Sequence, residues 1–266
     1  MSTQKITIEY DVVIVGAGIV GLAIARALGT ISPTLKVLII DKEPAVGLHA
    51  SGRNSGVLHA GFYYSPDSLK AQFCREGNME MRRLAEKYGV TVNPIGKVVV
   101  AKNDNELERM NILYERGLAN QVQLKLLNES SLHKYEPLAV THKSFLWSPT
   151  TAIVDKDGIM QAMFNELKDL KVDFLFKQKF LSSSNRQVIT TDYTVTYRHL
   201  VNASGSGAIA IAHKLGFGDG FSMIPFLGVY RATAHANLPL KHWFTPFPTP
   251  KIHSLVPTSQ LQRMDW

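Results

Sequence analysis

The feature that most constrains this chain is a glycine-rich turn that follows directly on a run of apolar residues. Residues 12–15 are four consecutive aliphatic residues, the pattern of a strand buried on both faces. Gly16, Gly18 and Gly21 follow in the spacing G-x-G-x-x-G, and residues 22–28 are typical of a helix. These glycines allow, in order, a tight turn, close approach of the backbone to a pyrophosphate, and close packing of helix on sheet. The pattern therefore predicts a dinucleotide site at the N-terminus of this helix.

A second apolar run supports this interpretation. Residues 36–40 predict another buried strand, and Asp41 at its end lies about 20 positions after the glycines, where a ribose hydroxyl is expected. Ile19 at the start of the helix and Lys42 after the acid belong to the same predicted site. The order strand, glycines, helix, strand and acid favours dinucleotide binding over the alternative, a coincidental glycine turn in another α/β fold.

Residues 49–64 form the most unusual stretch, rich in glycine and in small hydroxyl and amide side chains. Ser51, Asn54 and Ser55 could donate hydrogen bonds to a phosphate or to a ring carbonyl. His49 and Arg53 are expected near the phosphates, where Arg53 could balance the charge of a pyrophosphate. Gly56 permits close approach of the backbone. The same stretch holds aliphatic and aromatic residues that a solvated loop would not expose together. We therefore predict that it wraps a ligand, with a plain surface loop as the alternative.

Composition argues against several classes of protein. The 266 residues carry a formal charge of +7, but Lys and Arg are scattered, which favours a solvated basic surface over a nucleic-acid site. Cys74 is the single cysteine, so no internal disulfide can form, which fits a reducing compartment. No apolar run is long enough for a membrane span, and no residues have metal-ligand spacing. We expect a cytoplasmic protein without a transmembrane segment, nucleic acid or metal; peripheral membrane contact stays open.

The stretch that follows Arg53 carries a resemblance to a known family. Residues 54–64, N-S-G-V-L-H-A-G-F-Y-Y, followed at 65–77 by S-P-D-S-L-K-A-Q-F-C-R-E-G, resemble the L-2-hydroxyglutarate dehydrogenase/oxidase family, within the D-amino-acid-oxidase-like superfamily. The resemblance implies FAD rather than NAD as the cofactor. It also implies oxidation of an L-2-hydroxy acid, most closely L-2-hydroxyglutarate to 2-oxoglutarate, by hydride transfer to the flavin. Ala203 and Gly205 resemble the family's second flavin contact.

The resemblance also implies the architecture. We expect an α/β chain with a Rossmann-like FAD-binding domain at residues 1–89 and 145–220, interleaved with an antiparallel-sheet substrate domain at 90–144 and 221–266. The substrate domain is expected to be incomplete, because family members continue past Trp266. Residues 253–266 depart from the family pattern, and a shift of the gene's reading frame by one base would restore it. A truncated, frameshifted product with a non-native end is therefore the expectation.

Three residues are candidates for chemistry on the substrate. His59 could remove the hydroxyl proton, because histidine titrates near working pH. Covalent attachment of FAD at His59 and a purely structural role are the alternatives. Tyr64 and Lys70, with Tyr63 beside them, could hold a substrate carboxylate, although Lys70 could equally be an exposed residue of the helix predicted at 68–88.

Two other functions stay open from the sequence. One is a flavin-binding fragment without catalytic activity, and the other is an amine or amino-acid oxidase of the same superfamily. The electron acceptor, oxygen or a quinone, and the oligomeric state are left open as well.

Overall fold

The computed structural model describes residues 6–224 and 243–246, with the backbone alone for residues 6–8 and 243–246. Its helices are α1 (Ile19–Ile31), α2 (Leu69–Tyr88), α3 (Asp104–Ala119), α4 (Leu132–Tyr135), α5 (Lys156–Asp169) and α6 (Ala208–Lys214). Its strands are β1 (Ile6–Val15), β2 (Val37–Ile40), β3 (Val57–Leu58), β4 (Val92–Asn93), β5 (Lys97–Val100), β6 (Lys125–Asn128), β7 (Ser144–Ser148), β8 (Ala152–Val154), β9 (Asp173–Leu175), β10 (Ser182–Ser184), β11 (Gln187–Ile189), β12 (Tyr193–Asn202) and β13 (Trp243–Pro246).

The chain divides into two compact units. One comprises Met1–Asn54 with Lys156–Phe226, and the other comprises Ser55–Asp155 with Leu227–Trp266. The chain therefore enters the second unit just after the glycine turn and its loop, and returns to the first at α5. Assignment of one part to FAD and the other to substrate stays a prediction.

The first unit is built on a six-stranded sheet in the order β10-β11-β12-β1-β2-β9. Strands β12, β1, β2 and β9 are parallel, whereas β10, β11 and β12 pair antiparallel. The four residues of β2 are all buried, as expected for a parallel strand covered on both faces. The α/β class predicted from the sequence is confirmed.

The second unit contains two smaller sheets. Strands β13, β5, β7 and β6 form one, in which β5, β7 and β6 are antiparallel and β13 runs parallel to β5. Strands β3, β8 and β4 form an antiparallel sheet of three. Val99 and Val98 on β5 lie in different hydrophobic clusters, because alternate side chains of a strand point to opposite faces. Lys97 therefore shares the face of Val99.

Helix α2 has a capping residue at each end. The Ser68 hydroxyl accepts a hydrogen bond from the Ala71 N–H at the N-cap, and Gly89 ends the helix in the left-handed conformation with φ 66°. Its apolar side chains are only partly buried: Leu84 and Ala85 are in the core, whereas Leu69 and Phe73 are exposed.

One strand predicted from the sequence is two strands in the structure. The alternating residues 188–197 suggest one continuous strand, but β11 ends at Ile189 and β12 begins at Tyr193. The turn between them is held by Thr190, whose hydroxyl donates to the side-chain oxygen of Gln178, and by the Asp192 N–H, which donates to the same oxygen. A side chain from outside the hairpin stabilises this turn, so local alternation could not reveal it.

Two further expectations concern membrane-spanning helices and the C-terminal residues. No helix among the described residues is long and apolar enough to cross a membrane. The departures expected at residues 253–266 lie outside the described residues.

Candidate functional site

The glycine turn after β1 has room for glycine alone at two of its positions. Gly16 has φ +115°, and a Cβ atom there would lie 2.4 Å from the carbonyl oxygen of Ala203. A Cβ on Gly21 would lie 2.0 Å from the carbonyl oxygen of Gly16. Gly18 is different, because its added Cβ would meet only the Ser51 hydroxyl, at 3.2 Å. The first and third glycines thus build the turn, and the second leaves space beside it.

The N-terminus of α1 is a suitable site for an anion. Gly18 is its N-cap and provides no side-chain cap, and no acidic residue lies in its first turn. The Ile19 N–H donates to the Ser51 hydroxyl at 2.9 Å, which brings that hydroxyl to the positive end of the helix dipole. The structure therefore brings together Gly18, Ile19 and Ser51, three of the residues predicted to bind the cofactor. Such an arrangement fits a diphosphate.

Asp41 is fixed beside the same turn. Its carboxylate accepts hydrogen bonds from the Ala17 N–H at 2.6 Å and from the Glu43 N–H at 2.9 Å. A carboxylate has about four lone-pair positions, so two backbone donors leave capacity for a ribose hydroxyl. Ala17 was not predicted as part of the site. Its position inside the turn, opposite the end of β2, is the signal that could have identified it.

The other predicted cofactor residues have different surroundings. His49 is hydrogen-bonded to the Glu43 carboxylate at 2.8 Å, and Lys42 lies 3.8 Å from the same carboxylate. The Asn54 amide donates to the carbonyl oxygens of Ala50 and Ser51, so it stabilises its own loop.

The remaining residues predicted to bind the cofactor are divided between the two units. Arg53 is exposed in the first unit. Gly205, with φ +57°, follows Ala203 there, and nothing lies within 4 Å of an added Cβ. Ser55 and Gly56 belong to the second unit, where the Gly56 carbonyl accepts from the Val154 N–H.

The backbone around His59 is held by α2. The buried Asn78 amide lies within hydrogen-bond distance of the carbonyl oxygens of Leu58 and His59, at 3.2 and 3.1 Å, and its oxygen accepts from Arg82. The Cys74 thiol also donates to the His59 carbonyl oxygen. Cys74 therefore contributes to the position of the loop, and burial raises the pKa of its thiol, which disfavours the reactive thiolate.

The next part of the loop is held by α3 and the residue that follows it. The buried Asn120 amide donates to the carbonyl oxygens of Gly61 and Tyr64, at 3.1 and 2.9 Å. The Arg116 guanidinium donates to the Tyr63 carbonyl oxygen at 3.0 Å. Two helices therefore fix the loop that carries the predicted catalytic residues.

His59 is a neutral imidazole at pH 7. Its side chain keeps a solvent-accessible face, yet the surrounding protein lowers its pKa to about 4, chiefly by desolvation and also through the positive charge of Lys97. A neutral imidazole has one nitrogen that can accept a proton. His59 thus has the access and the unprotonated nitrogen that a base needs. The expectation that it titrates near working pH is wrong, however, because desolvation lowers its pKa to about 4 and makes it a weaker base than an ordinary histidine.

Lys97, at the start of β5, lies near His59 and was not predicted from the sequence. Its side chain is 2% exposed, and its ammonium lies 4.7 Å from the ring centroid of Tyr63. We refer to His59, Tyr63 and Lys97 as the Lys97 cluster. The signal in the sequence was a lysine that opens the apolar run of β5 directly after Gly96, where a solvated lysine is unexpected.

Tyr64 and Lys70 are also placed together, but at the surface. The Lys70 ammonium lies 4.6 Å from the ring centroid of Tyr64, and Lys70 is exposed at the start of α2. Lys70 is therefore an exposed residue of the helix, which was the alternative to a role in holding a carboxylate. Among the residues that the structure describes, no group of three His, Cys, Asp or Glu residues could hold a metal ion.

Comparison with known proteins relates this geometry to a family. The model of the FAD dependent oxidoreductase family matches residues 11–260. The chain is 34% identical to the L-2-hydroxyglutarate dehydrogenase of Escherichia coli (strain K12), over 91% of this chain and 58% of that protein. It is 42% identical to the mitochondrial L-2-hydroxyglutarate dehydrogenase of Homo sapiens, over 51% of this chain and 30% of that one. The chain thus spans less than two thirds of these relatives.

Solved structures show the same fold. L-proline dehydrogenase from P. horikoshii matches with a TM-score of 0.75 and 19% identity, over 91% of this chain and 65% of that one. The FAD-bound L-alpha-glycerophosphate oxidase from Mycoplasma pneumoniae matches with a TM-score of 0.70 and 24% identity, over 77% and 56%. The resemblance noted in the sequence is confirmed, and the glycine turn, α1 and Asp41 fit the diphosphate and ribose of FAD. The chain belongs to the FAD dependent oxidoreductase family.

Proposed function

We propose that this chain carries an FAD-dependent oxidoreductase activity that converts an L-2-hydroxy acid, most closely L-2-hydroxyglutarate, to the corresponding 2-oxo acid. The similarity to L-2-hydroxyglutarate dehydrogenases over 91% of the chain supports the substrate class. The observation that carries the proposal is His59, which keeps a solvent-accessible face and is neutral at pH 7, on a loop fixed by Asn78 and Asn120.

The residues of the chain have separate roles in this proposal. The glycine turn, the N-terminus of α1 and Ser51 hold the diphosphate, and Asp41 holds the ribose. His59, which is unprotonated at neutral pH because its pKa is lowered, takes the proton of the substrate's C2 hydroxyl. FAD, when bound, supplies the acceptor for the hydride from C2.

An amine or amino-acid oxidase is the second candidate. Glycine oxidase from Geobacillus kaustophilus has a similar fold, with a TM-score of 0.69 and 22% identity. A neutral base also suits an amine substrate, because the reactive amine must lose a proton. Turnover with L-2-hydroxyglutarate compared with glycine and sarcosine distinguishes the two candidates.

The direct test is an anaerobic visible spectrum of the purified protein before and after addition of L-2-hydroxyglutarate. We expect an oxidised-flavin band that bleaches with this substrate. A band that bleaches only with glycine or sarcosine would favour the oxidase. An unchanged band would indicate a flavin-binding chain without turnover and contradict the proposal. Repeating the experiment with oxygen, and then with a quinone, identifies the electron acceptor. The cytoplasmic location expected from the single cysteine is tested by cell fractionation.

A further inference from the structure

Lys97 is an unusual residue to find in a protein interior. Charged side chains are almost never fully buried unless they are paired, because transfer of an ion out of water is costly. Lys97 is 2% exposed, and no carboxylate of the described residues lies within ion-pair distance of its ammonium. Its register neighbours in the sheet are Ser148 on β7 and Trp243 on β13, and neither residue type is charged.

Tyr63 adds a second polar group without a partner. Its hydroxyl is buried, and none of the residues that the structure describes provides a hydrogen-bond partner for it. A buried hydroxyl that lacks a hydrogen bond is costly, so each one in a native structure calls for an explanation, and a ligand that accepts from it is one. Its ring lies beneath the Lys97 ammonium, which places both groups in one small region.

Two titratable groups near Lys97 are the other members of the cluster. His59 and Tyr63 are both uncharged at pH 7, because burial lowers the pKa of the histidine and raises that of the tyrosine. Neither neutralises a lysine charge. Burial lowers the pKa of Lys97 to about 7, so its charged and neutral forms are both populated near neutral pH, and the charged form has no counter-ion among the described residues. Both this ammonium and the tyrosine hydroxyl are hydrogen-bond donors.

From this arrangement we infer that Lys97 and Tyr63 bind the C1 carboxylate of the substrate, with His59 beside them. A carboxylate accepts hydrogen bonds at both oxygens and neutralises the ammonium, so it resolves both deficits at once. The choice of C1 follows from His59. The C1 carboxylate and the C2 hydroxyl are joined to neighbouring carbons, so a cation close to the base for that hydroxyl also lies close to that carboxylate. The inference rests on the proposed function for the identity of the ligand.

The test measures binding of two 2-oxo acids, which cannot be oxidised at C2. 2-Oxoglutarate has two carboxylates, and 2-oxobutyrate has only the one at C1. Calorimetric titration of the purified flavoprotein at pH 6 and pH 8.5 gives the Kd of each. Because only the protonated lysine attracts an anion, we expect the Kd to rise roughly ten- to thirtyfold between these pH values. His59 and Tyr63 keep their protonation state over this interval.

Variants assign this effect to the cluster. Lys97→Met should weaken binding of both acids at least tenfold at pH 6 and remove the pH dependence. Lys97→Arg should keep binding at pH 8.5, since a guanidinium stays charged there. Tyr63→Phe should weaken binding several-fold at both pH values. The matched control is Lys125→Met, which removes an exposed lysine from β6 of the same sheet and should change neither Kd.

Several results would overturn the inference. Unchanged binding in Lys97→Met, or a wild-type Kd that does not depend on pH, would exclude Lys97 as the cation. A loss confined to 2-oxoglutarate would exclude the assignment to C1. The proposed function is tested independently of the binding experiment, by flavin bleaching. Lys97-dependent binding without bleaching by any 2-hydroxy acid would contradict the function and keep the carboxylate site. Flavin bleaching by L-2-hydroxyglutarate, together with an unchanged KM in Lys97→Met, would support the function and exclude the carboxylate site.

Folding is monitored in the same samples. Replacement of a buried, unpaired cation by an apolar side chain of similar length should not destabilise the protein, so we expect the Tm of Lys97→Met to rise. A structural role for Lys97 predicts the opposite, and a lowered Tm together with weaker binding would count against the inference.

Discussion

The glycine turn and the Lys97 cluster differ in how their polar groups are satisfied. In the turn, Asp41 accepts two backbone hydrogen bonds and Ser51 accepts a third, so the site is held together without a ligand. In the cluster, the Tyr63 hydroxyl has no partner and the Lys97 ammonium has no counter-ion among the described residues. The first site is therefore shaped by the fold, whereas we infer that the second is completed by what it binds.

The largest expected effect tests the glycine turn. Gly21→Ala places a methyl group 2.0 Å from the Gly16 carbonyl oxygen, which the structure cannot accommodate without moving α1 away from β1. We expect a loss of more than about 4 kcal/mol in the free energy of unfolding, together with loss of bound flavin. Chemical denaturation and the flavin-to-protein absorbance ratio measure these quantities.

Gly77→Ala is the matched control for this substitution. Gly77 lies inside α2, and nothing lies within 4 Å of an added Cβ. The same change of residue should therefore stabilise the protein, by about 0.5–1 kcal/mol, and leave flavin content unchanged. Equal effects of the two substitutions would show that the turn tolerates a side chain.

The next effect concerns the buried charge of Lys97 in the Lys97 cluster. The folded state holds Lys97 with a pKa of about 7, against an ordinary value of 10.5, so between these pH values the unfolded chain binds more protons. Stability therefore rises with pH across that interval, and the penalty for Lys97 is largest below pH 7. Lys97→Met should stabilise the protein by roughly 2–4 kcal/mol at pH 6 and by less at pH 9. Denaturation at both pH values checks this, and an equal gain at both would contradict the burial of a charge.

A smaller effect concerns the loop that carries the cluster. Asn120→Ala leaves the carbonyl oxygens of Gly61 and Tyr64 without their side-chain donor. We expect a loss of about 1–3 kcal/mol in stability and weaker substrate binding, because the loop is no longer fixed. Urea denaturation and the KM for L-2-hydroxyglutarate report the two effects. Asn165→Ala, at an exposed position of α5, is the control and should alter neither.

The smallest effect is the contribution of His59 to acid sensitivity. Its folded pKa of about 4 lies below its ordinary value of 6.5, so the unfolded chain binds more protons between these values. Stability is therefore lost as the pH falls from 6.5 towards 4. His59→Gln should reduce the decrease of Tm between pH 6.5 and 4.5, measured by thermal melts, whereas His133→Gln, at an exposed site, should not. An unchanged decrease would mean that the folded protein leaves His59 at its ordinary pKa.

Much of the cofactor region could be predicted because its chemistry belongs to the backbone. Spacing specifies which residues form a turn, and the Cβ clashes at Gly16 and Gly21 explain why no other residue serves there. The role of Ser51 was predicted as a phosphate donor, and the structure adds its bond to Ile19, some 30 residues away in the sequence. The hairpin at Thr190 was missed because Gln178, which stabilises it, is remote from the alternating residues.

The sequence by itself determined the parts whose interactions are local: the strand, the glycine turn, α1 and, through resemblance, the family and its FAD. Only the tertiary structure decided the environment of Lys97. A lysine at the start of an apolar strand can extend into solvent or lie beneath the sheet's covering layer, and its neighbours choose between these. Here the Lys97 ammonium packs over the ring of Tyr63, which lies on a loop that Asn120 holds in place. Burial and charge depend on residues distant in the sequence, so this region becomes visible only when the chain is folded.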